Sequence, residues 1–304
     1  EVAGLTSWLN SEPLTIASLR AEKRVVLIDF WTYTCVNCQR TLPYVKQWND
    51  RYAQAGLTII GVHTPEFDFE HDTANVKHAV EAAGITYPVA LDNDMQTWTA
   101  FNNNAWPGKY LIGADGRVRY THLGEGDYDL TERAIRDALT AAGHDVTSIP
   151  TGGLPAPKLD PYATMITREL YGGYARNYDT RGAYAAQREY YSGPKQTHDY
   201  TDITGERAKD VFYLQGAWRD EEDAVVHARA TTNLEDYLVF RFFARSVNIV
   251  MRPGADGASY DVVVELSGKP LRRDQAGPDV HFDAAGRSIV TVAEPRMYAV
   301  VILP

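Results

Sequence analysis

The sequence predicts two folding units of different class. Residues 1–146 read as an α/β unit and residues 161–304 as an all-β, jelly-roll-like sandwich, with a Pro/Gly linker over 147–160. Three observations lead there. The chain has 304 residues, 44% of them hydrophobic, enough to bury two cores. From Val25 to about Leu139, short β-branched runs alternate with amphipathic helical stretches, the rhythm of a mostly parallel sheet covered by helices. Between Thr147 and Pro161 stand Pro150, Pro155, Pro157 and Pro161 with Gly152 and Gly153, and beyond them the pattern changes to short strand candidates separated by turn signals.

In chain order, Val25–Trp31 reads as a central strand because it is apolar on both alternating faces except at Asp29. A helix follows from about Cys38 to Ala53, with Leu42, Val45, Trp48 and Tyr52 on one stripe. Leu57–Val62 is the next strand. Asp72–Ala83 is a helix with Val76, Ala79, Val80 and Ala83 on one face, stopped by Gly84. Tyr110–Ile112 and Val118–Leu123 flank Asp115-Gly116 as a hairpin, and Leu130–Ala142 closes the unit as a helix.

In the second half the strand candidates are Asp210–Leu214, Ala224–Ala230, Tyr237–Phe243, Val247–Met251, Ser259–Leu266, Ser288–Ala293 and Met297–Leu303. Alternation in Tyr237–Phe243 puts Phe240 and Phe242 on one face and Arg241 on the other, while the apolar Asp261–Leu266 and Tyr298–Leu303 read as inner strands. Tyr162, Tyr171, Tyr174, Tyr178, Tyr184, Tyr190, Tyr191 and Tyr200 read as packing residues rather than sugar-stacking rings. The acidic run Asp220–Asp223 reads as a solvated turn rather than a calcium loop.

A net charge of −10 gives no basic field for nucleic acid or an anionic membrane surface. No apolar run approaches the roughly 18–20 residues that span a bilayer. The start at Glu1 lacks an initiator Met and a signal-type segment, so a processed or excised end is expected, with any targeting or membrane segment outside it. Cys35 and Cys38 permit one local bridge and no disulfide framework. His63, His71 and His78 lack the pairing of a zinc site, and Gln39 stands where haem attachment needs His, so no metal or cofactor is expected beyond a redox-active Cys35–Cys38 disulfide.

A thiol attacks as thiolate, and a place just ahead of a helix lowers its pKa through the dipole and the free backbone amides. Cys35 stands between a buried strand and a helix, so it reads as the nucleophile. Cys38, inside the helix, reads as the resolving thiol that attacks the mixed disulfide. Asp29, an acid in an apolar strand, reads as a proton-transfer or hydrogen-bonding residue.

The stretch Val26-Leu27-Ile28-Asp29-Phe30-Trp31-Thr32-Tyr33-Thr34-Cys35-Val36-Asn37-Cys38 resembles the thioredoxin superfamily, especially its TlpA-like extracytoplasmic branch. The resemblance implies a thioredoxin-like fold, with Asp29 as the acid six before the nucleophile and Pro43 as the proline five after the resolver. It implies that Trp106-Pro107 carries the cis-proline and, with Trp31, the substrate-binding surface. The branch's inserted strand and helix match Gly61 through Gly84, which makes Glu66 its buried glutamate near the cysteines. Val36-Asn37 matches neither Gly-Pro nor Pro-His, so the redox potential is not set by this dipeptide.

The match extends to the DipZ family, whose outer thioredoxin-like domain is followed by a carbohydrate-binding-module-like β-sandwich and preceded by a CcdA-like membrane domain. The resemblance implies a thiol–disulfide oxidoreductase acting on extracytoplasmic protein disulfides, as a reductant fed by that CcdA-like carrier, with a place in cytochrome c maturation. Its implied partners are protein thiols and disulfides, the membrane domain and cell-wall glycan. It implies a location at the outer face of the cytoplasmic membrane, anchored by a segment outside this chain. A thiol peroxidase is the alternative enzyme, since Thr32 lies three before Cys35, but Ile28 replaces that class's proline. A glycan- or protein-binding module would leave both cysteines dispensable.

Overall fold

A computed structural model describes residues 2–155, 165–179, 182–203, 205–231 and 233–303. Pro157, Pro161 and Tyr162 of the expected linker and tyrosine series lie outside the described residues. The chain divides into two compact units, one of Glu1–Lys158 with Val250–Arg252 and Glu294–Met297, the other of Leu159–Ile249, Pro253–Ala293 and Tyr298–Pro304.

The first unit is a six-stranded sheet in the order β1-β4-β3-β2-β5-β6, formed by β1 (Ser7–Leu9), β2 (Val25–Trp31), β3 (Leu57–His63), β4 (Val89–Leu91), β5 (Gly108–Ile112) and β6 (Val118–Leu123). β2, β3 and β4 run parallel, and β1, β5 and β6 add antiparallel. The helices are α1 (Ile16–Ala21), α2 (Val36–Tyr52), α3 (Thr73–Ala82), α4 (Gln96–Ala100) and α5 (Tyr128–Ala141).

Every residue of β2 is buried, as a strand covered on both faces requires. Its alternation sorts the two cores. Val25, Leu27 and Trp31 pack with Leu42, Val45 and Trp48 of α2, Val76 and Val80 of α3 and Ile135 and Leu139 of α5. Val26, Ile28 and Phe30 pack with Ile16 and Leu19 of α1 and, near α4, with Trp98 and Phe101. Asp29, at an odd position of β2, therefore faces the α2 layer.

Side chains set the helix ends. Cys35 caps α2, and Asp72 caps α3 by accepting from the Ala74 amide at 2.7 Å. Gly84, at φ +60, takes the left-handed turn after α3 that a Cβ would strain. The β5–β6 turn closes with Gly113 N–H donating to the Arg117 carbonyl at 2.9 Å and Gly116 at φ +81. Four elements were not foreseen: β1, α1, β4 and α4 have three to six residues each, too few for a period to show.

The second unit is mostly β and divided among several sheets, consistent with the expected β-sandwich. β7 (Tyr178–Asp179) pairs with β8 (Gly182–Ala183), and β10 (Phe212–Asp220) pairs with β9 (Thr197–Tyr200), β11 (Val225–His227) and β12 (Tyr237–Phe240). β14 (Tyr260–Val263), β16 (Ser288–Val292) and β15 (His281–Phe282) form a third sheet, and β13 (Ser246–Met251) pairs with β17 (Arg296–Ile302).

Four sequence expectations are corrected. The strand expected through Phe243 stops at Phe240, with Arg241 ion-paired to Glu206 and Phe243 exposed. The 261–266 segment is an edge, because β16 stands between β14 and β15. Tyr184, Tyr190 and Tyr200 pack in the core with Phe212 and Leu214, as expected, whereas Tyr178 and Tyr191 are exposed. Asp220 is buried and accepts from the Gln196 amide at 2.7 Å, so the acidic run is not wholly solvated. Among the described residues no helix is long and apolar enough to cross a membrane.

Candidate active site

The buried strand β2 ends at Trp31, and the turn Thr32–Thr34 delivers the chain to Cys35 at the start of α2. Cys35 is extended, at φ −74 and ψ 114, and its Sγ accepts the Cys38 N–H at 3.2 Å. A sulfur in that position takes one of the amides that a helix start leaves free, so negative charge on Cys35 is met by a donor and by the positive end of the helix. Cys35 is half-buried, Cys38 is buried, and both are free thiols.

Burial pushes the Cys38 thiol well above its ordinary value. Cys35 beside it and the nearby Asp29 act in the same direction, while hydrogen bonding to the Thr32 backbone opposes them. Cys38 is thus a poor thiolate until a base takes its proton.

Asp29 stands on the face of β2 that α2 covers. It pairs in register with Lys109 of β5, whose Nζ lies 3.8 Å from Asp29 Oδ1, and both residues are almost fully buried. Burial lifts the Asp29 carboxyl to about 6, and the Lys109 charge limits the rise. A carboxyl poised there exchanges its proton near neutral pH. Lys109 was not singled out in the sequence. The available signal was a lysine in an apolar strand, one residue from the expected cis-proline segment.

The Trp106–Pro107 bond is cis. β5 begins at Gly108 opposite Phe30, so this peptide stands at the sheet end where β2 runs into Cys35. Trp106 is half-buried, its Nε1 donating to the Thr64 carbonyl at 3.2 Å and its ring 4.3 Å from that of Trp98.

Two expected site residues stand elsewhere than the resemblance implied. Trp31 is 1% exposed inside the α2 core, edge-on to His63, so its ring is closed to a protein substrate. Glu66 is only half-buried, and the glutamate that enters the site is Glu70. A 3-10 turn over Asp68–His71 swings Glu70 inward. Its Oε1 accepts from the Thr32 hydroxyl, from the Thr34 hydroxyl at 2.7 Å and from the Thr34 amide at 3.3 Å. Its Oε2 accepts from the amides of Glu66 at 2.6 Å and Phe67 at 3.1 Å. The carboxylate so ties the turn ahead of Cys35 to the 66–70 loop, with the Glu66 backbone amide as one of its donors.

His63 completes this layer. It is fully buried, its ring stacks on Tyr33 at 5.7 Å, and its Nε2 lies 3.3 Å from Thr32 Oγ1. Thr32 spends its single proton on Glu70, so His63 Nε2 is the donor to Thr32. Burial, with His71 nearby, lowers the His63 pKa to about 3, which keeps the ring neutral. In the sequence His63 stands out only as a histidine without the pairing of a zinc site.

The Redoxin family profile matches residues 7–139, and the Thioredoxin like C-terminal domain profile matches residues 167–303. Protein DipZ of Mycobacterium bovis is 36% identical over 283 residues, which cover 91% of this chain but 38% of DipZ. The chain thus spans well under half the length of that relative. Thiol-disulfide oxidoreductase YkuV of Bacillus subtilis is 30% identical over 139 residues, covering 46% of this chain and 92% of YkuV. The solution structure of a thioredoxin-like protein in the oxidized form is 27% identical, covering 46% of this chain and 93% of that one with a TM-score of 0.41. With a Cys-x-x-Cys pair capping α2 over a buried acid, and identity to YkuV along nearly all of that protein, the chain belongs to the thioredoxin-like thiol–disulfide oxidoreductases.

Proposed function

We propose that this chain reduces disulfides of extracytoplasmic proteins through Cys35 and Cys38. The observation that carries the reading is the asymmetry of the two thiols, one half-exposed at the cap of α2 and one buried beneath it with a raised pKa. The Cys35 thiolate attacks one sulfur of the substrate disulfide, and the other substrate sulfur leaves as thiolate. Cys38 gives its proton to Asp29 and attacks Cys35 Sγ, which forms the Cys35–Cys38 disulfide and releases the second substrate sulfur. Two electrons pass to the substrate. A CcdA-like membrane carrier, outside this chain, returns them, and cytochrome c maturation is the process such a reductant serves. Likeness to DipZ supports this partner and the outer face of the cytoplasmic membrane as the location.

In this reading Trp106 and Pro107 offer backbone to an extended substrate chain, as an exposed edge does in strand addition. The second unit holds no cysteine and is assigned to docking on a protein or cell-wall glycan. Equilibration with glutathione tests the redox role. A reversible two-electron couple near the thioredoxin value of about −270 mV is expected. Failure to exchange, or a poise near the −120 mV of strong oxidants, would overturn the assignment as a reductant.

A further inference from the structure

Lys109, Asp29, Gly61 and Val89 stand in register across β5, β2, β3 and β4, so their side-chain directions share one face of the sheet. Gly61 leaves a gap in that row. A Cβ there would stand 3.0 Å from Tyr87 Cε2, 3.1 Å from Trp31 Nε1 and 3.5 Å from Val89 Cγ2. Tyr87 and Trp31 therefore reach in over Gly61, next to Asp29.

All four polar residues around this point are buried, with exposures of 0% for Lys109, 1% for Tyr87 and Trp31 and 2% for Asp29. No protein atom hydrogen-bonds Asp29 Oδ1, Lys109 Nζ, Tyr87 Oη or Trp31 Nε1. The Lys109 ammonium stands 3.8 Å from Asp29 Oδ1 while Tyr87 and Trp31 lean over the neighbouring Gly61, so unsatisfied donors flank the carboxylate, and proteins satisfy such groups with internal water that makes two to four hydrogen bonds. Burial holds the Tyr87 phenol in its protonated, donating form, and the proximity of Asp29 and Cys38 adds to this.

We infer that Tyr87 is a positioning residue for the resolving step, its hydroxyl and the Lys109 ammonium donating to one internal water that in turn donates to the Asp29 carboxylate and holds it ready to take the Cys38 proton. The inference rests on the disulfide-exchange reading above. In that step the Cys38–Cys35 bond forms, the bond from Cys35 to the substrate sulfur breaks, the proton passes from Cys38 to Asp29, and the substrate leaves as thiolate. The charged and titratable groups facing Asp29 are Lys109 from β5, Cys38 from α2 with Cys35 at its cap, and Tyr87 from the segment before β4.

The test is the pH profile of substrate release from the Cys35 mixed disulfide, in wild type, Tyr87→Phe and Asp29→Asn, with the rate of the first attack by Cys35 measured in parallel. Loss of the phenol donor leaves the carboxylate less stabilised, so in Tyr87→Phe the midpoint moves up by about one pH unit. In Asp29→Asn it disappears. An unmoved midpoint in Tyr87→Phe beside a changed Asp29→Asn reduces Tyr87 to packing and overturns the inference. Unchanged profiles in both variants overturn it together with the role of Asp29, while a wild type without a first attack overturns the exchange reading itself. If Tyr87→Phe does not fold, Gly61→Ala, which crowds the Tyr87 ring, must raise the same midpoint, and an unmoved one overturns the inference.

Discussion

The ammonium of Lys109 lies 3.8 Å from the Asp29 carboxylate across the β2–β5 pair, with both groups almost wholly out of water. The ion pair holds the Asp29 pKa at about 6 against a burial effect that would lift it further, and His63, in register with Trp31 on the neighbouring strand β3, is held neutral down to about 3. Between about pH 4 and 6 the two act in opposite senses. Folded Asp29 keeps a proton that the unfolded chain has lost, so its contribution weakens as pH rises. Unfolded His63 holds a proton that the folded ring lacks, so its contribution strengthens. The wild type is expected to change little in stability across this window on their account. Asp29→Asn leaves the His63 effect alone, and its unfolding free energy should rise by about 1.4 kcal/mol per pH unit from pH 4 to 6. Urea titrations at pH 4, 5 and 6 measure the difference; parallel slopes in both proteins would show that the two groups do not titrate as described.

The two thiols should differ sharply towards alkylation. Cys38 is buried and its thiol is raised, while Cys35 is half-exposed at a helix cap. With reduced protein at pH 7, iodoacetamide should modify Cys35 at least about tenfold faster, because Cys38 is closed to the reagent and burial keeps its thiol protonated. Peptide mass spectrometry after short exposure reads the ratio. Equal labelling, or Cys38 first, would reverse the roles of nucleophile and resolver.

Glu70 and Glu66 should separate on stability. Glu70→Gln puts an amide NH2 among five donors and should cost about 2–4 kcal/mol, because buried donors lose their acceptor. Glu66→Gln leaves its backbone donor to Glu70 in place and should cost clearly less than Glu70→Gln. Chemical denaturation of both variants gives the comparison; similar losses would mean that the loop is not held through Glu70.

In the second unit, Gly216 of β10 has φ +87, and a Cβ there would overlap the Asp236 carboxylate. That carboxylate is held by Arg229, by His227 Nε2 at 2.8 Å and by the Ala217 amide at 3.3 Å, so it has no free direction in which to retreat. Gly216→Ala should lower stability by about 2–4 kcal/mol from strain and displacement together. An unfolding transition unchanged from wild type would contradict the close approach.

What the sequence revealed follows from the length over which each signal acts. Val25–Trp31, the helix capped by Cys35 and the helix capped by Asp72 are long enough for periodicity and caps to speak, and they form within a residue or two of expectation. β4 and α4 offer three and five residues, below one clear period. Cys35, Cys38 and Asp29 were legible because a cysteine pair at a strand–helix junction and an acid in an apolar strand are local anomalies. Lys109 becomes meaningful only through the register that sets it opposite Asp29, and Glu70 only through the 3-10 turn that points it inward, so neither was visible locally. The apolar run at 261–266 could not distinguish an inner strand from an edge, since that depends on which neighbours pair with it.

If Cys35 attacks and Cys38 resolves, removing the resolver must trap the substrate on Cys35. Cys38→Ser, incubated with an oxidised protein substrate and analysed by non-reducing mass spectrometry, should accumulate a covalent mixed disulfide at Cys35. Wild type should release the reduced substrate and hold a Cys35–Cys38 disulfide, and Cys35→Ser should do neither. A mixed disulfide that forms at Cys38 in Cys35→Ser but not at Cys35 in Cys38→Ser would contradict the account.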